Sequence, residues 1–278
     1  MTRPIDTGTD DLLAHVDGNV GVITFNRPDR RNALSNVMYA GFDRALSTMT
    51  TDADVRAVMI TGAGGAFCAG GDVKSMNESH QTGVARSGRS NNPDDAIAQL
   101  RHSQRTVSLA LHQFPKPVVA ALPGAAAGAG LSIALAADIR IAAERAVLVT
   151  AFAGVGASGD FGGSWFLTQL VGTAKAKELY FTSPRLSAAE ARDLGMVNQV
   201  LPDEGFETAA LAWCQALADR APIATRLMKE NLNRAITCDL STALDAEATN
   251  MVRSMSTADH REAAAAFVEK RSPVFSGE

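Results

Sequence analysis

The chain is poor in cysteine and has no excess of basic residues. Its three cysteines, Cys68, Cys214 and Cys238, are odd in number and form no C-x-x-C pair. This argues against a disulfide framework and predicts a reduced, cytoplasmic setting. The formal net charge of −4 leaves no basic footprint for nucleic acid. The five histidines show neither H-E-x-x-H nor zinc-type spacing, so no metal site is predicted. Residues 1–11 contain no apolar segment typical of a signal peptide.

One stretch has the length of a membrane span. Residues 118–137 carry no charge and include a G-x-x-x-G pair at Gly124 and Gly128. However, alanine and glycine contribute little to membrane insertion, and Pro123 interrupts the stretch. We therefore expect a buried strand, a turn and a buried helix there, and no membrane partner.

Hydrophobic patterning predicts strands that alternate with helices, which is typical of an α/β core. The pair Asp17-Gly18 indicates a hairpin over residues 12–25, and Ser35 is expected to cap a helix over 36–49. Further strands are expected at 55–61, 118–122, 139–142, 147–150 and 197–200.

A second helix is expected over residues 96–114, after a polar segment, 77–95, that we expect to be a mobile loop over the site. The sequence Ser187-x-x-Glu190 is a capping box that begins a later helix. Beyond residue 204 the pattern is helical. We expect a core over 1–203 and a helical oligomerisation region over 204–278.

Two of the predicted strands lead into glycine-rich bends. AFCAGGD, at 66–72, follows the strand at 55–61, and PGAAAGAG, at 123–130, follows the strand at 118–122. Each bend then opens a helix. Two such bends can direct two backbone N–H groups to one point, and paired donors of this kind stabilise a developing oxyanion. Close-packed glycine turns without a ligand are the alternative interpretation.

These two bends resemble the oxyanion-hole segments of the crotonase family, the enoyl-CoA hydratases and isomerases. Three other stretches are also similar to family segments: NRPDRRNAL at 26–34, LSAAEARDLGMVNQVLP at 186–202 and AAFVEKR at 265–271. The resemblance implies an α/β fold, a crotonase-type spiral of ββα units with a C-terminal helical layer. It also implies an acyl-CoA thioester substrate, a homotrimer or hexamer, and no prosthetic group, since CoA is part of the substrate.

The same resemblance assigns roles to single residues. Gly71 and Ala129 match the two oxyanion-hole positions. The implied CoA contacts are Arg30, Arg31, Ala33, Ala69, Asp72, Lys74, Phe267 and Lys270, the last two reaching a neighbouring subunit's CoA. The implied acyl pocket includes Ser132, Phe152, Gly154 and Val155. For the basic residues, solvated surface charge is the alternative.

Two of these positions depart from the family pattern. Family hydratases carry glutamates where this chain has Ser132 and Phe152. Addition of water to a double bond needs a positioned base and acid, and neither side chain can replace a carboxylate. The sequence therefore disfavours ordinary hydratase chemistry.

Asp160 remains as an acid/base candidate. The segment GDFGGSWFL, at 159–167, is similar to the PDxGGxWxL element of double-bond isomerases in the family, in which the aspartate shuttles a proton along the acyl chain. Apolar neighbours such as Phe161 and Trp165 are expected to raise the pKa of this carboxyl. The alternative is a structural role for Asp160 as a helix N-cap.

A literal G-x-G-x-x-G occurs at residues 154–159, but no second strand follows it, which disfavours a dinucleotide-binding fold. The favoured prediction is enoyl-CoA double-bond isomerisation. Enoyl-CoA hydration and a non-catalytic acyl-CoA carrier or regulator are the alternatives.

Overall fold

The computed structural model describes residues 2–72 and 92–278. Lys74 and most of the predicted loop at 77–95 therefore lie outside the described residues.

The described strands form two sheets. They are β1 (Thr2–Ile5), β2 (Leu12–Asp17), β3 (Val20–Phe25), β4 (Ala57–Gly62), β5 (Val118–Leu122), β6 (Ala126–Ala127), β7 (Ile139–Ala143), β8 (Val147–Val149), β9 (Leu186–Ser187) and β10 (Gln199–Leu201). The large sheet has the order β1-β2-β3-β4-β5-β7-β10, and the small sheet has the order β6-β8-β9. The first three strands pair antiparallel, and all later pairs of the large sheet are parallel.

Helices cover the sheet and make up the C-terminal region. They are α1 (Asn36–Thr51), α2 (Pro93–Gln104), α3 (Ala110–Gln113), α4 (Ala129–Ala136), α5 (Gly163–Thr182), α6 (Ala188–Asp193), α7 (Phe206–Ala218), α8 (Pro222–Ala235), α9 (Leu240–Met255) and α10 (Ala258–Glu269). A π-helical turn at residues 105–109 joins α2 to α3. Gly172 has non-helical backbone angles and breaks α5 into two parts.

The central strands are buried on both faces, as expected for parallel strands covered by helices. In β4, Val58 and Ile60 face the larger core, whereas Ala57 and Met59 face a second core. Helix α7 closes this second core with apolar side chains that include Phe206 and Cys214. The predicted boundary at residue 203 thus precedes a helix that packs directly on the sheet.

Several local predictions are confirmed. The hairpin of β2 and β3 forms, and Ser187 and Glu190 make the predicted capping box. Ser35 is the N-cap residue of α1, as predicted, but its hydroxyl accepts no hydrogen bond from the helix backbone and instead donates to Asp11 Oδ2 at 2.6 Å. The start of the second helix was wrong, because Asn92 caps α2 and the helix begins at Pro93.

A partly buried ion pair joins the C-terminal helices to the sheet. Lys229 on α8 donates to Asp138 Oδ2 at 2.7 Å, and Asn233 donates to the carbonyl oxygen of His112 at 3.0 Å. Among the described helices, none is long and apolar enough to cross a membrane.

Candidate active site

The site lies where β4 and β5 end. These strands are parallel, with Met59 opposite Val119, so their carboxyl ends open at the same edge of the sheet. The two glycine-rich bends that follow them are joined by backbone hydrogen bonds. Phe67 N donates to Ala125 O at 3.0 Å, and Ala127 N donates to Cys68 O at 2.9 Å. The predicted meeting of the two bends at one place is therefore observed.

Gly70 lets the two bends approach closely. Its φ is +81°, and a Cβ atom there would lie 2.6 Å from Ala127 O and 3.0 Å from Ala129 N. A side chain would therefore be both strained and in collision with the opposite bend. This contact places the backbone of residues 70–71 directly beside the amide of Ala129.

Ala129 is the first residue of α4, so its N–H has no partner inside the helix and lies at the positive end of the helix dipole. The preceding residue, Gly128, has φ +52° and ψ −125°, a backbone conformation that is unfavourable for any residue with a side chain. The ring of Phe152 would lie 3.8 Å from a Cβ atom at Gly128. The turn that orients the Ala129 amide therefore borders Phe152.

A cavity of about 490 Å³ opens beside the Gly71 bend. Six of the predicted residues line it together with Asp29: Arg30, Arg31, Ala33, Ala69, Gly71 and Asp72. Both arginines are exposed, so their charges face solvent at the cavity. The structure thus brings the two arginines that the resemblance implies as CoA contacts next to Gly71, one of the implied oxyanion donors.

Asn32, which the sequence analysis missed, braces this turn. It is fully buried, and its Nδ2 donates to the carbonyl oxygens of Ala63 and Ala66, both at 2.8 Å. Its Oδ1 accepts from Arg27 N at 2.8 Å. The Arg27 guanidinium also lies 3.5 Å from the Asp72 carboxylate.

A second polar cluster surrounds Asp160. The Tyr180 hydroxyl is buried, and a Cβ atom at Gly163 would lie 2.6 Å from it and would collide with Ser132 Oγ. Burial and the charge of Asp160 raise the pKa of Tyr180 to about 12. The phenol is therefore neutral near pH 7, and Asp160, Tyr180 and Ser132 form one buried polar group.

The backbone after Asp160 is held in an unusual conformation. Phe161 has φ +51°, which is uncommon for a bulky residue. Its N–H donates to Gln104 Oε1 at 2.8 Å, and its ring stacks on Tyr39 with centroids 5.9 Å apart. The N-cap of α5 is Gly162, and no side chain caps it, so the alternative of Asp160 as a helix N-cap was wrong.

Other predicted residues lie apart from these clusters. Gly154 and Val155 are in an exposed turn, whereas Ser132 and Phe152 are buried. Phe267 and Lys270 are exposed at the end of α10. Lys74 lies outside the described residues. The roles implied for these positions stay predictions.

Tyr180 and Gln104 had no local motif to reveal them. Tyr180 follows Asp160 by twenty residues, beyond the break at Gly172, and it returns to the site only through the packing of α5. Tyrosine is rare in this chain, and both of its tyrosines, Tyr39 and Tyr180, lie at the site. That scarcity is the one signal in the sequence that could have drawn attention to them.

Comparison with known proteins agrees with this architecture. The sequence model of the family described as Enoyl-CoA hydratase/isomerase matches residues 15–278. The 1,2-epoxyphenylacetyl-CoA isomerase of Escherichia coli (strain K12) is 38% identical over 266 residues, which cover 96% of this chain and 98% of that protein. The Short-chain-enoyl-CoA hydratase of Clostridium acetobutylicum is 34% identical over 261 residues, which cover 94% of this chain and 95% of that protein.

Solved structures give the same result. The crystal structure of an enoyl-CoA hydratase from Polaromonas sp. JS666 has a TM-score of 0.87 and 35% sequence identity, and the match covers 95% of this chain and 99% of that one. The expected crotonase-type α/β fold with a C-terminal helical region is confirmed. The chain belongs to the enoyl-CoA hydratase/isomerase family.

Proposed function

We propose that this protein is an enzyme that moves a double bond along the acyl chain of an enoyl-CoA, by way of a thioester enolate. One observation carries the proposal. The buried polar atoms of Asp160 and Tyr180 cluster with Ser132, which gives the site a carboxylate. In support, the resemblance implies that Ser132 and Phe152 replace the glutamates of family hydratases.

The backbone amides of Gly71 and Ala129 would stabilise the enolate. As a proton leaves C2 of a 3-enoyl thioester, negative charge develops on the thioester oxygen. Two N–H donors aimed at that oxygen lower the barrier, each by about 2.7–4 kcal/mol. The closeness of residues 70–71 to the Ala129 amide supports this assignment.

Asp160 would move the proton. Its carboxylate takes the proton from C2, and the electron pair of the C–H bond enters the conjugated enolate. The same carboxyl then returns the proton to C4, which leaves the double bond between C2 and C3. One carboxylate suffices for this shift, because it is regenerated at the end of each turnover.

Hydration is the second candidate, since the relatives include proteins named as hydratases. It would require a positioned base and acid to activate water. The Ser132 hydroxyl donates to Gly128 O at 3.3 Å, and the Phe152 ring is apolar, so neither can act as the base. We therefore expect hydratase turnover to be very low.

The test compares two reactions in the wild type and in Asp160→Asn. Conversion of 3-enoyl-CoA to 2-enoyl-CoA should fall about 10²–10⁴-fold in the variant, because the base is lost while the shape is nearly kept. Rapid hydration of 2-enoyl-CoA, near 10 per second as in a typical enzyme, would refute the site assignment.

Measurements of acyl-CoA binding distinguish a catalytic role for Asp160 from the carrier alternative. The CoA contacts and the amide pair are intact in Asp160→Asn, so acyl-CoA affinity measured by calorimetry should change little. Unchanged isomerisation in a folded variant would refute the catalytic role of Asp160. Acyl-CoA binding without any turnover by the wild type would favour the carrier alternative.

Three further predictions belong to this proposal. The substrate carries CoA, and no prosthetic group is needed. The chain assembles as a homotrimer or hexamer, which the exposed apolar side chains of α8 and α9 support, for example Leu232 at 70% and Leu240 at 74% exposure. A cytoplasmic location stays a prediction from the sequence.

A further inference from the structure

A cavity of about 400 Å³ lies between the α2–α3 segment and the start of α5. One wall is a stripe of side chains at successive turns: Arg101, Arg105, Ser108 and His112. The opposite wall is aromatic and includes Phe161, Trp165 and Phe166. The π-helical turn at 105–109 forms part of the stripe, and such turns are frequent at functional sites.

The cavity is lined by residues that adjoin Asp160 in the sequence. Phe161 and Gly162, which immediately follow Asp160, line it. Gln104, which accepts the hydrogen bond from Phe161 N, also lines it. The cavity therefore lies next to Asp160 on the far side of Phe161, and its volume is in the range of ligand pockets.

The polar groups of the cavity favour an anion. Neither Arg101 nor Arg105 forms an ion pair or a side-chain hydrogen bond within residues 2–72 and 92–278. Burial lowers the pKa of His112, so its imidazole is neutral near pH 7. Among the described residues nothing pairs with these two guanidinium groups, and arginine can hold a carboxylate through two parallel hydrogen bonds.

Ser108 provides an independent indication of a ligand. The residue is 3% exposed, and its Oγ is buried without a hydrogen-bond partner among the described residues. A buried hydroxyl in that condition costs stability, and each such group in a folded protein calls for an explanation. A polar group of a ligand in the cavity would supply the missing partner.

We propose that this cavity, the arginine groove, binds the far end of an acyl chain that carries a terminal carboxylate. The inference rests on the proposed function, because it assumes that an acyl-CoA occupies the site at Asp160. It adds the substrate class: thioesters of dicarboxylic acids, held by CoA contacts at one end and by Arg101 and Arg105 at the other.

The experiment compares adipyl-CoA with hexanoyl-CoA by calorimetry on the full chain. Both have six-carbon acyl groups, and they differ in the terminal carboxylate alone. We expect adipyl-CoA to bind about tenfold more tightly, as for a charge-assisted hydrogen bond at a partly exposed site. In the variant with both Arg101→Gln and Arg105→Gln, this preference should disappear while hexanoyl-CoA affinity is kept.

Arg192→Gln is the matched control, since it removes one charge from an exposed arginine on α6, away from the groove. It should keep the preference for adipyl-CoA. Equal or tighter binding of hexanoyl-CoA by the wild type would overturn the inference. A preference that survives in the double variant would overturn the assignment to these arginines. Failure of both thioesters to bind would instead refute the proposed function itself.

Discussion

The ring of Tyr180 stacks on that of Phe152, with centroids 5.7 Å apart and an interplanar angle of 20°. The resemblance to the family implies that Phe152 and Ser132 stand at the two positions where family hydratases carry glutamates. The stack places the Tyr180 hydroxyl next to Ser132 and within the field of Asp160. An aromatic pair and two hydroxyl groups therefore occupy this region beside Asp160.

The variant Tyr180→Phe tests the contribution of the Tyr180 hydroxyl separately from that of its ring. The stack with Phe152 is kept, while a buried hydroxyl that lacks a hydrogen bond of standard geometry is removed. We expect the free energy of unfolding in urea to rise by about 1 kcal/mol, because an unsatisfied buried group is lost. We also expect isomerase kcat to fall about tenfold, because the neutral phenol lies within the field of the Asp160 carboxylate and its loss changes the polarity around that group.

Two results would contradict this view of Tyr180. A lower stability of Tyr180→Phe would mean that the hydroxyl has a stabilising partner. An unchanged kcat, with an unchanged pH dependence of kcat, would mean that the hydroxyl has no influence on Asp160. Tyr39→Phe is the control, since it removes the other tyrosine hydroxyl of the site while keeping the stack on Phe161.

The sequence predicted the elements that local patterns specify. The β4 and β5 strands, the two glycine-rich bends and the Ser187 capping box each depend on a few adjacent residues, and all are observed. Ser35 occupies the predicted N-cap position, but its hydroxyl is directed to Asp11, which is distant in sequence, and makes no hydrogen bond to the helix backbone. The positive φ of Phe161 and the packing of Tyr180 against the Asp160 loop depend on tertiary contacts, which no local pattern records.

Acidification should destabilise the fold partly through His112. Burial and the charge of Lys229 lower its pKa below the usual value near 6.5. Below that pH the unfolded chain takes up a proton that the folded chain resists. The stability contributed by neutral His112 is therefore present above this pH and is lost as pH falls through the folded pKa. His112→Gln should thus lose less Tm than the wild type between about pH 7 and pH 5.

His260→Gln provides the control for this pH series, because His260 is exposed on α10. Its Tm should follow that of the wild type across the range. Parallel curves for the wild type and His112→Gln would show that His112 makes no contribution to acid sensitivity.

The Lys229–Asp138 pair should be essential for docking α8. The Lys229 side chain is 9% exposed and also donates to the carbonyl oxygens of Leu111 and Lys116. Lys229→Met leaves the partly buried Asp138 carboxylate without its ion-pair partner, and we expect a loss of up to about 3–5 kcal/mol in urea unfolding. Arg234→Ala, on the same helix, breaks an exposed pair with Glu230 and should cost about 0–1 kcal/mol. Similar losses in both variants would contradict this account.

The exposed apolar side chains of α8 and α9 should mediate assembly. Leu232 and Leu240 are the most exposed of them, and a monomer would present both to water. Light scattering should give a mass of three or six chains for the wild type. Leu232→Glu combined with Leu240→Glu should shift this to the monomer, whereas Thr208→Glu on α7 should not. A monomeric wild type would refute the assembly proposal.

The variant Gly128→Ala should test whether the Ala129 N–H stabilises the enolate, because strain at residue 128 would displace that N–H. Gly128 has φ +52° and ψ −125°, and a Cβ atom there would meet nothing closer than 3.7 Å. The variant is therefore strained without a collision, at a cost of about 1–3 kcal/mol. If the turn relaxes, the Ala129 N–H moves away from the thioester oxygen, and we expect kcat to fall about 10²–10³-fold with a small change in acyl-CoA affinity.

Gly18→Ala is the control. It imposes a positive φ in the β2–β3 turn, far along the sheet from β5, and should lower stability without lowering kcat. Equal kcat losses in the two variants would mean that instability, and not the displaced amide, causes the effect.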